Sequence, residues 1–403
     1  MSSQTYETPQ ETPVHGQQTA HWGGVFAMTL CVFALIASEF MPVSLLTPIA
    51  ADLAITEGMV GQGIAISGAF AVVTSLFIST LSGALNRKTL LLGLSALMAL
   101  SGVTIAMAPN YFIYMVGRGL IGIAVGGFWS MSAATAMRLV PAHRVTRALA
   151  IFNGGNALAT VVAPPLGSYL GSVMGWRGAF FCLAPVALLA FIWLLVSLPS
   201  MPVTRRSGAS VHVLALLRRR VVLIGMTAVG FFFMGQFTLF TYIRPFLETV
   251  TRVDASVVTF ILLVIGLAGF AGTLLIGPLL ARGFYRTLMA LPLLMAVTAL
   301  ALVVFGDQLV TVVMLLGLWG LLATAAPVGW WAWVPGTFAD NAEAGGGLMV
   351  AMIQLSIALG STVGGLLFDL SGYRSTFIAS TVMLLVATLL IYLTSRSEMP
   401  ERP

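Results

Sequence analysis

Charge is the scarcest commodity in this sequence. Asp, Glu, Lys and Arg make up 8% of its 403 residues, about a third of their share in an average soluble domain. That excludes an ordinary globular enzyme or binding module. Cysteine is nearly absent: Cys31 and Cys182 lie far apart in apolar surroundings, so neither a disulfide framework nor a zinc site has support. The four histidines, His15, His21, His143 and His212, fall in the tail, at a span edge or in loops, which excludes a histidine metal cluster inside a membrane. The hydrophobic runs lack paired aspartates and histidine–acid clusters, so a membrane-embedded protease or lipid transferase is not expected. Residues 1–20 are polar and have no basic leading segment. No cleaved signal peptide is expected, and the first hydrophobic run serves as its own insertion signal.

What is abundant is apolar surface. Hydrophobic residues form 59% of the chain and mean hydropathy is +1.00. Apolar runs of about 20 residues recur, the length an α-helix needs to cross the hydrocarbon core. Twelve spans can be read, at about 22–45, 59–82, 89–108, 111–137, 148–170, 178–198, 221–243, 256–281, 287–305, 309–334, 346–368 and 376–395. The expected fold class is an all-α polytopic membrane protein with both termini on one side.

The pI of about 9.7 arises from bases lying between spans rather than in a patch with interleaved aromatics, so no nucleic-acid partner is implied. Fourteen of the nineteen Lys and Arg residues, among them Arg87, Lys88, Arg138, Arg205, Arg218, Arg282 and Arg396, sit in connections on the N-terminal side. Four, Arg177, Arg244, Arg252 and Arg374, sit on the other, and Arg118 lies within a span. This bias puts both termini in the cytoplasm.

The longest connection, 199–220, carries Pro199, Pro202, Ser207, Ser210 and five arginines. It divides six spans from six, giving a tail (1–21), an N-terminal bundle (22–198), a cytoplasmic linker (199–220), a C-terminal bundle (221–395) and a C-terminal tail (396–403). The halves echo each other. Gly175-Trp176-Arg177-Gly178-Ala179-Phe180 returns as Gly372-Tyr373-Arg374-Ser375-Thr376-Phe377, an offset of 197, and the basic turn at Arg87 returns at Arg282, an offset of 195. A duplicated unit of six spans is the natural reading.

With these motifs the chain resembles the major facilitator superfamily, in its twelve-helix drug and proton antiporter branch. The residues carrying the likeness are the Gly-Trp-Arg-x-x-Phe turn, Arg118 to Gly122, Glu39 to Pro48, Gly126 to Ala133, Phe240 to Pro245 and Pro327 to Trp330. The last four of these segments also look like those of bacterial purine ribonucleoside efflux pumps. The resemblance implies two pseudo-symmetric six-helix bundles, proton-coupled export of inosine, guanosine, adenosine and analogues, no cofactor beyond the coupling proton, and a monomer in the bacterial inner membrane. It also makes Asn86, Arg87, Pro164 and Gly167 conformational-motif positions. Asn86 replaces the usual acid before Arg87, Ser82 holds a glycine position with Gly83 one late, and span five has Ala150, Ala159, Ala163 and Ser168 where glycines are common. Exporters of sugars or hydrophobic drugs, and passive facilitators or sensors, are the competing functions.

Glu39 is the only carboxylate deep in a span. Such a group either carries a proton as its surroundings alternate between wet and dry, or stays hydrogen-bonded at a helix end before Pro48. Arg118 keeps its proton; it tunes a neighbour, as the resemblance implies, or bonds backbone carbonyls beside Gly119, Gly122 and Gly126. A nucleoside needs uncharged polar and aromatic contacts. Asn153, Asn156 and Thr160 share one face of span five, and Gln236 and Gln354 are either substrate groups or interhelical ties. Trp129 and Trp330 could stack on a base, whereas Trp331 and Trp333 fit the interfacial aromatic belt. Pro42, Pro48, Pro164, Pro165, Pro245, Pro278 and Pro327 are expected to kink or end helices.

Overall fold

The computed structural model describes residues 20–81, 85–202, 213–338 and 342–398. The outer tails, most of the linker and the turn residues Ser82 and Gly83 lie outside them. The helices are α1 (Trp22–Leu53), α2 (Glu57–Leu81), α3 (Arg87–Ala106), α4 (Tyr111–Leu139), α5 (Val145–Phe181), α6 (Leu183–Ser197), α7 (Arg220–Phe240), a one-turn α8 (Ile243–Phe246), α9 (Ala255–Arg282), α10 (Phe284–Phe305), α11 (Leu309–Thr337) and α12 (Ala342–Glu398). Short polar side chains start several of them. The Asn86 and Asn110 oxygens accept from Lys88 N and Ile113 N, and Asp254 accepts from Ser256 N and Val257 N. The Ser256 hydroxyl, donating to the same oxygen at 2.6 Å, and the Val257 amide hold the Asp254 carboxyl below the usual carboxylate range.

Ten apolar helical stretches among the described residues are long enough to cross a membrane, and two of them, Arg147–Ser197 and Gly345–Ser397, are 51 and 53 residues long. One crossing takes about 20 residues, so each long stretch supplies two and the total is twelve. The reversals occur at Gly175 (φ 77°, ψ 165°) and Gly372 (φ 76°, ψ −175°), a backbone region essentially confined to glycine. Neighbouring contacts confirm that the chain turns back. Going up α1, Thr29, Met41 and Leu45 meet Gly155, Gly167 and Gly171 of span five in the same order. After Gly175 the order inverts: Arg177 meets Asp52 near the end of α1, and Ser197 meets Gly23 at its start.

The duplication read from the echoes extends through the helix packing. Gly122 abuts the Ser67 carbonyl and Gly320 abuts the Ile265 carbonyl, both pairs related by 198 residues. Gly68 lies against Ala358 as Gly266 lies against Val161. At these contacts a Cβ would have no space, so glycine lets two backbones touch where side-chain burial offers little gain over lipid. Spans two and eleven, and spans five and eight, form the most extensive contacts joining the halves. Leu188, Leu189, Ile192 and Val196 of α6 and Leu267, Phe270, Leu274 and Leu275 of α9 are exposed, as surfaces facing lipid must be.

Of the prolines expected to kink or end helices, Pro245 falls in the one-turn α8 just after α7 ends at Phe240. Pro42 and Pro48 lie inside α1, Pro164 and Pro165 inside α5, Pro278 inside α9 and Pro327 inside α11. None of these ends its helix, because neighbouring helices supply packing that outweighs the lost bond.

Replacing either Gly175 or Gly372 by Ala should lower stability by about 1–3 kcal/mol, read as a lower midpoint of thermal unfolding in detergent. Gly93→Ala, where an added Cβ meets nothing within 4 Å, should show no loss.

Candidate functional site between the halves

Because α1 runs unbroken to Leu53, Glu39 stands near the midpoint of a 32-residue helix, not at its end. It is 3% exposed. Its Oε1 accepts a 3.0 Å hydrogen bond from Gln354 Nε2 on α12, a residue 315 positions away in the other half. Beside it, Phe40 stacks on Phe237 of α7 with ring centroids 5.6 Å apart and planes 23° from parallel. Both contacts cross between the halves.

Arg118 is completely buried. Its Nε donates to Gly63 O (2.9 Å), Nη1 to Ser38 O (2.8 Å) and Nη2 to Glu39 O (3.2 Å). The guanidinium thus clamps α4 onto the backbones of α1 and α2. It meets Glu39 through the main chain, and among the described residues it forms no ion pair. A carboxyl whose partner is a neutral amide can change protonation without breaking an ion pair, and the fixed guanidinium nearby keeps its own charge throughout.

Among the described residues, none of the other predicted site residues except Gln354 hydrogen-bonds to this pair. Gln236 is half-buried, and its Oε1 is enclosed without a hydrogen-bond partner. Asn153 is exposed and donates to Leu149 O within its own helix (3.0 Å), while Thr160 donates to Asn156 O (2.9 Å). Trp129 is half-buried. Trp330 is 1% exposed and packs edge-on against Trp333. Trp331 is exposed, whereas Trp333 is buried and donates from Nε1 to Tyr285 Oη (3.1 Å), which removes it from a lipid-facing aromatic belt. A separate cavity of about 540 Å³, lined by Arg219, Tyr285, Trp333, Thr337 and Ser397 among others, lies in the C-terminal half near the chain's end.

At the terminus-bearing face, Asn86 takes three bonds: Lys88 N and Met201 N donate to its Oδ1, and its Nδ2 donates to Ser200 Oγ. Arg87 N donates to Met201 O (3.1 Å), so this turn is fastened to the end of span six. In span five Pro164 is buried, and Gly167 lies against Ser44 and Met41 of α1. On the opposite face the halves are pinned by residues the sequence reading missed. Asp369 accepts from Thr56 Oγ1 (2.6 Å) and Gly58 N (3.0 Å), capping α2 from the other half. Arg244 donates to Ser44 O and pairs with Glu248 at 2.8 Å. The available signal for Asp369 was a lone acid three residues before the second reversal.

A family model for the Major Facilitator Superfamily matches residues 28–349. The chain belongs to this superfamily of membrane transporters. It is 63% identical, over 99% of its length and all of the relative's, to a protein of Pseudomonas aeruginosa named transcription regulatory protein OpdE. It is 39% identical over 93% of its length, and 94% of the relative's, to the purine ribonucleoside efflux pump NepI of Salmonella enteritidis. In fold it is similar to a bacterial homologue of the lysosomal transporter Spinster in an inward-facing, unoccupied conformation, with a TM-score of 0.77, 14% identity, and coverage of 95% of this chain and 98% of that one. A D-xylose–proton symporter aligns with a TM-score of 0.75 at 16% identity, covering 93% and 98%.

Arg118→Lys should lower thermal stability sharply even though charge is retained. A point-charge ammonium cannot span three carbonyls on two helices, and each bond lost to the charged group is worth about 1.5–3 kcal/mol. Melting in detergent, compared with wild type, checks this.

Proposed function

We propose that this facilitator exports purine ribonucleosides such as inosine, guanosine and adenosine, together with their analogues, across the bacterial inner membrane in exchange for protons. The observation carrying this reading is the Glu39–Gln354 bond, a titratable group placed on the junction between the halves. The 39% identity to NepI supports the substrate class, and the 14-to-4 arginine and lysine bias supports cytoplasmic termini.

The mechanism follows from where the halves are held. Thr56, Gly58, Ser44 and Ser168 engage Asp369, Arg244 and Thr259 of the C-terminal half on the face away from the termini. With the halves fastened together on that face, substrate enters from the other end, the cytoplasmic one in this reading. A proton arriving from outside neutralises Glu39, which weakens its charge-assisted bond to Gln354 and so alters the contact between the halves. Release of that proton inward resets the cycle. For a neutral substrate exchanged against one proton, the membrane potential supplies about 2.3 kcal/mol per 100 mV, roughly a 50-fold gradient. One carboxyl is enough, and no cofactor is required.

A second reading, a sensor that retains the fold without driven flux, is favoured by the name of the 63% identical relative. Everted vesicles separate the two. Wild type should accumulate labelled inosine, guanosine or adenosine when the interior is acidified, with sugars and dyes as comparison substrates. Glu39→Gln should lose at least 10-fold in gradient-driven uptake while retaining nucleoside exchange that no longer varies with pH. Equal driven uptake by the mutant contradicts the role of Glu39. Absence of any driven nucleoside uptake by wild type contradicts nucleoside export and favours sensing.

A further inference from the structure

The repeat relates positions on the two sides of the interface, and around Glu39 that relation is broken. Advancing by the 197 residues that carry Gly175 to Gly372 takes Glu39 to Gln236 and Phe40 to Phe237. The two phenylalanines stack on each other, so these positions lie close to the pseudo-twofold axis. Stepping back by the same offset from Gln354, the partner of Glu39, leads to Ala157. The repeat thus puts an alanine at the position equivalent to the amide that serves Glu39, and Gln236 Oε1 is buried with no partner.

Ala157 also sits inside the polar stripe of span five. Asn153, Asn156 and Thr160 lie four before, one before and three after it, which places all four on one helix face. The equivalent face of span eleven reads Val350, Ile353, Gln354 and Ile357, apolar apart from the amide already engaged by Glu39. One side of the axis is thus complete. The other has an unpaired carbonyl, a missing side chain and three further hydrogen-bonding residues.

We propose that the two sides divide the labour: Glu39 and Gln354 handle the proton, and Gln236 with the span-five face around Ala157 forms the polar half of the substrate subsite. This rests on the export reading above. The ligand class is an uncharged, flat heteroaromatic compound carrying hydrogen-bond donors. An exocyclic amine or ribose hydroxyl donates to Gln236 Oε1, ending the cost of a buried unpaired carbonyl.

Ala157→Gln tests this directly, because it rebuilds the absent partner of Gln236 and fills the space. In vesicles it should raise the KM for labelled inosine at least 10-fold while the pH dependence of transport stays as in wild type. Gln236→Ala should raise KM similarly, and it decides the matter if Ala157→Gln does not fold. Leu158→Ala, off the stripe and 56% exposed, should leave KM unchanged. KM values within twofold of wild type for the folded variants overturn the proposal. If wild type instead drives a non-nucleoside substrate, the same variants are measured on that substrate. A raised KM then keeps the subsite while nucleoside export falls, and an unchanged KM overturns the subsite as well.

Discussion

A polar group inside hydrocarbon has to find a partner within the protein, and in this molecule that constraint converges on one turn of α1. Ser38 and Glu39 give their carbonyls to Arg118, and the Glu39 carboxyl takes its hydrogen bond from Gln354. The first set of bonds holds α1 to α4 within one half. The second reaches across to the other half. The same short segment is therefore rigid on one side and switchable on the other, because carbonyl–guanidinium bonds do not titrate and a carboxyl–amide bond does.

Glycine makes this arrangement mechanically workable. At Gly68, Gly122, Gly266 and Gly320 backbones meet directly, so the contacts that join helices are flat and contain little that must interdigitate. Two of these glycines lie at the junction between the halves, where smooth surfaces suit rocking about a central axis. In the proposed division of labour, near-symmetry supplies two similar half-sites, and the exchanges of Glu39 for Gln236 and Gln354 for Ala157 let them differ in chemistry without altering the frame.

Much of the frame was legible in the sequence, since hydropathy and the positions of glycine record the demands of the bilayer. The twelve crossings and the glycine echo at Gly175 and Gly372 were both readable, and the echo turned out to mark the two chain reversals. Glu39 was visible because an acid in an apolar run is costly and therefore stands out. Its partner was not, since a contact between residues 39 and 354 depends on how two bundles dock. The same holds for Asp369 capping α2 from the opposite half. Proline misled the reading of where α1 ends, because the cost of Pro42 and Pro48 is met by tertiary packing that no local pattern reports. Trp333 misled it too: a tryptophan near a span end resembles a belt residue until its Tyr285 partner is known.

The central claim is that protonation of Glu39 sets the balance between the two arrangements of the halves. Spin labels at Arg144 and Arg286, exposed positions near the terminus-bearing ends of the two halves, introduced as cysteines after Cys31 and Cys182 are replaced, would report their separation by double electron–electron resonance. The account predicts a distance distribution that shifts between acid and neutral pH in the wild-type background and stays fixed with Glu39→Gln. A shift of the same size in the Gln variant would contradict it.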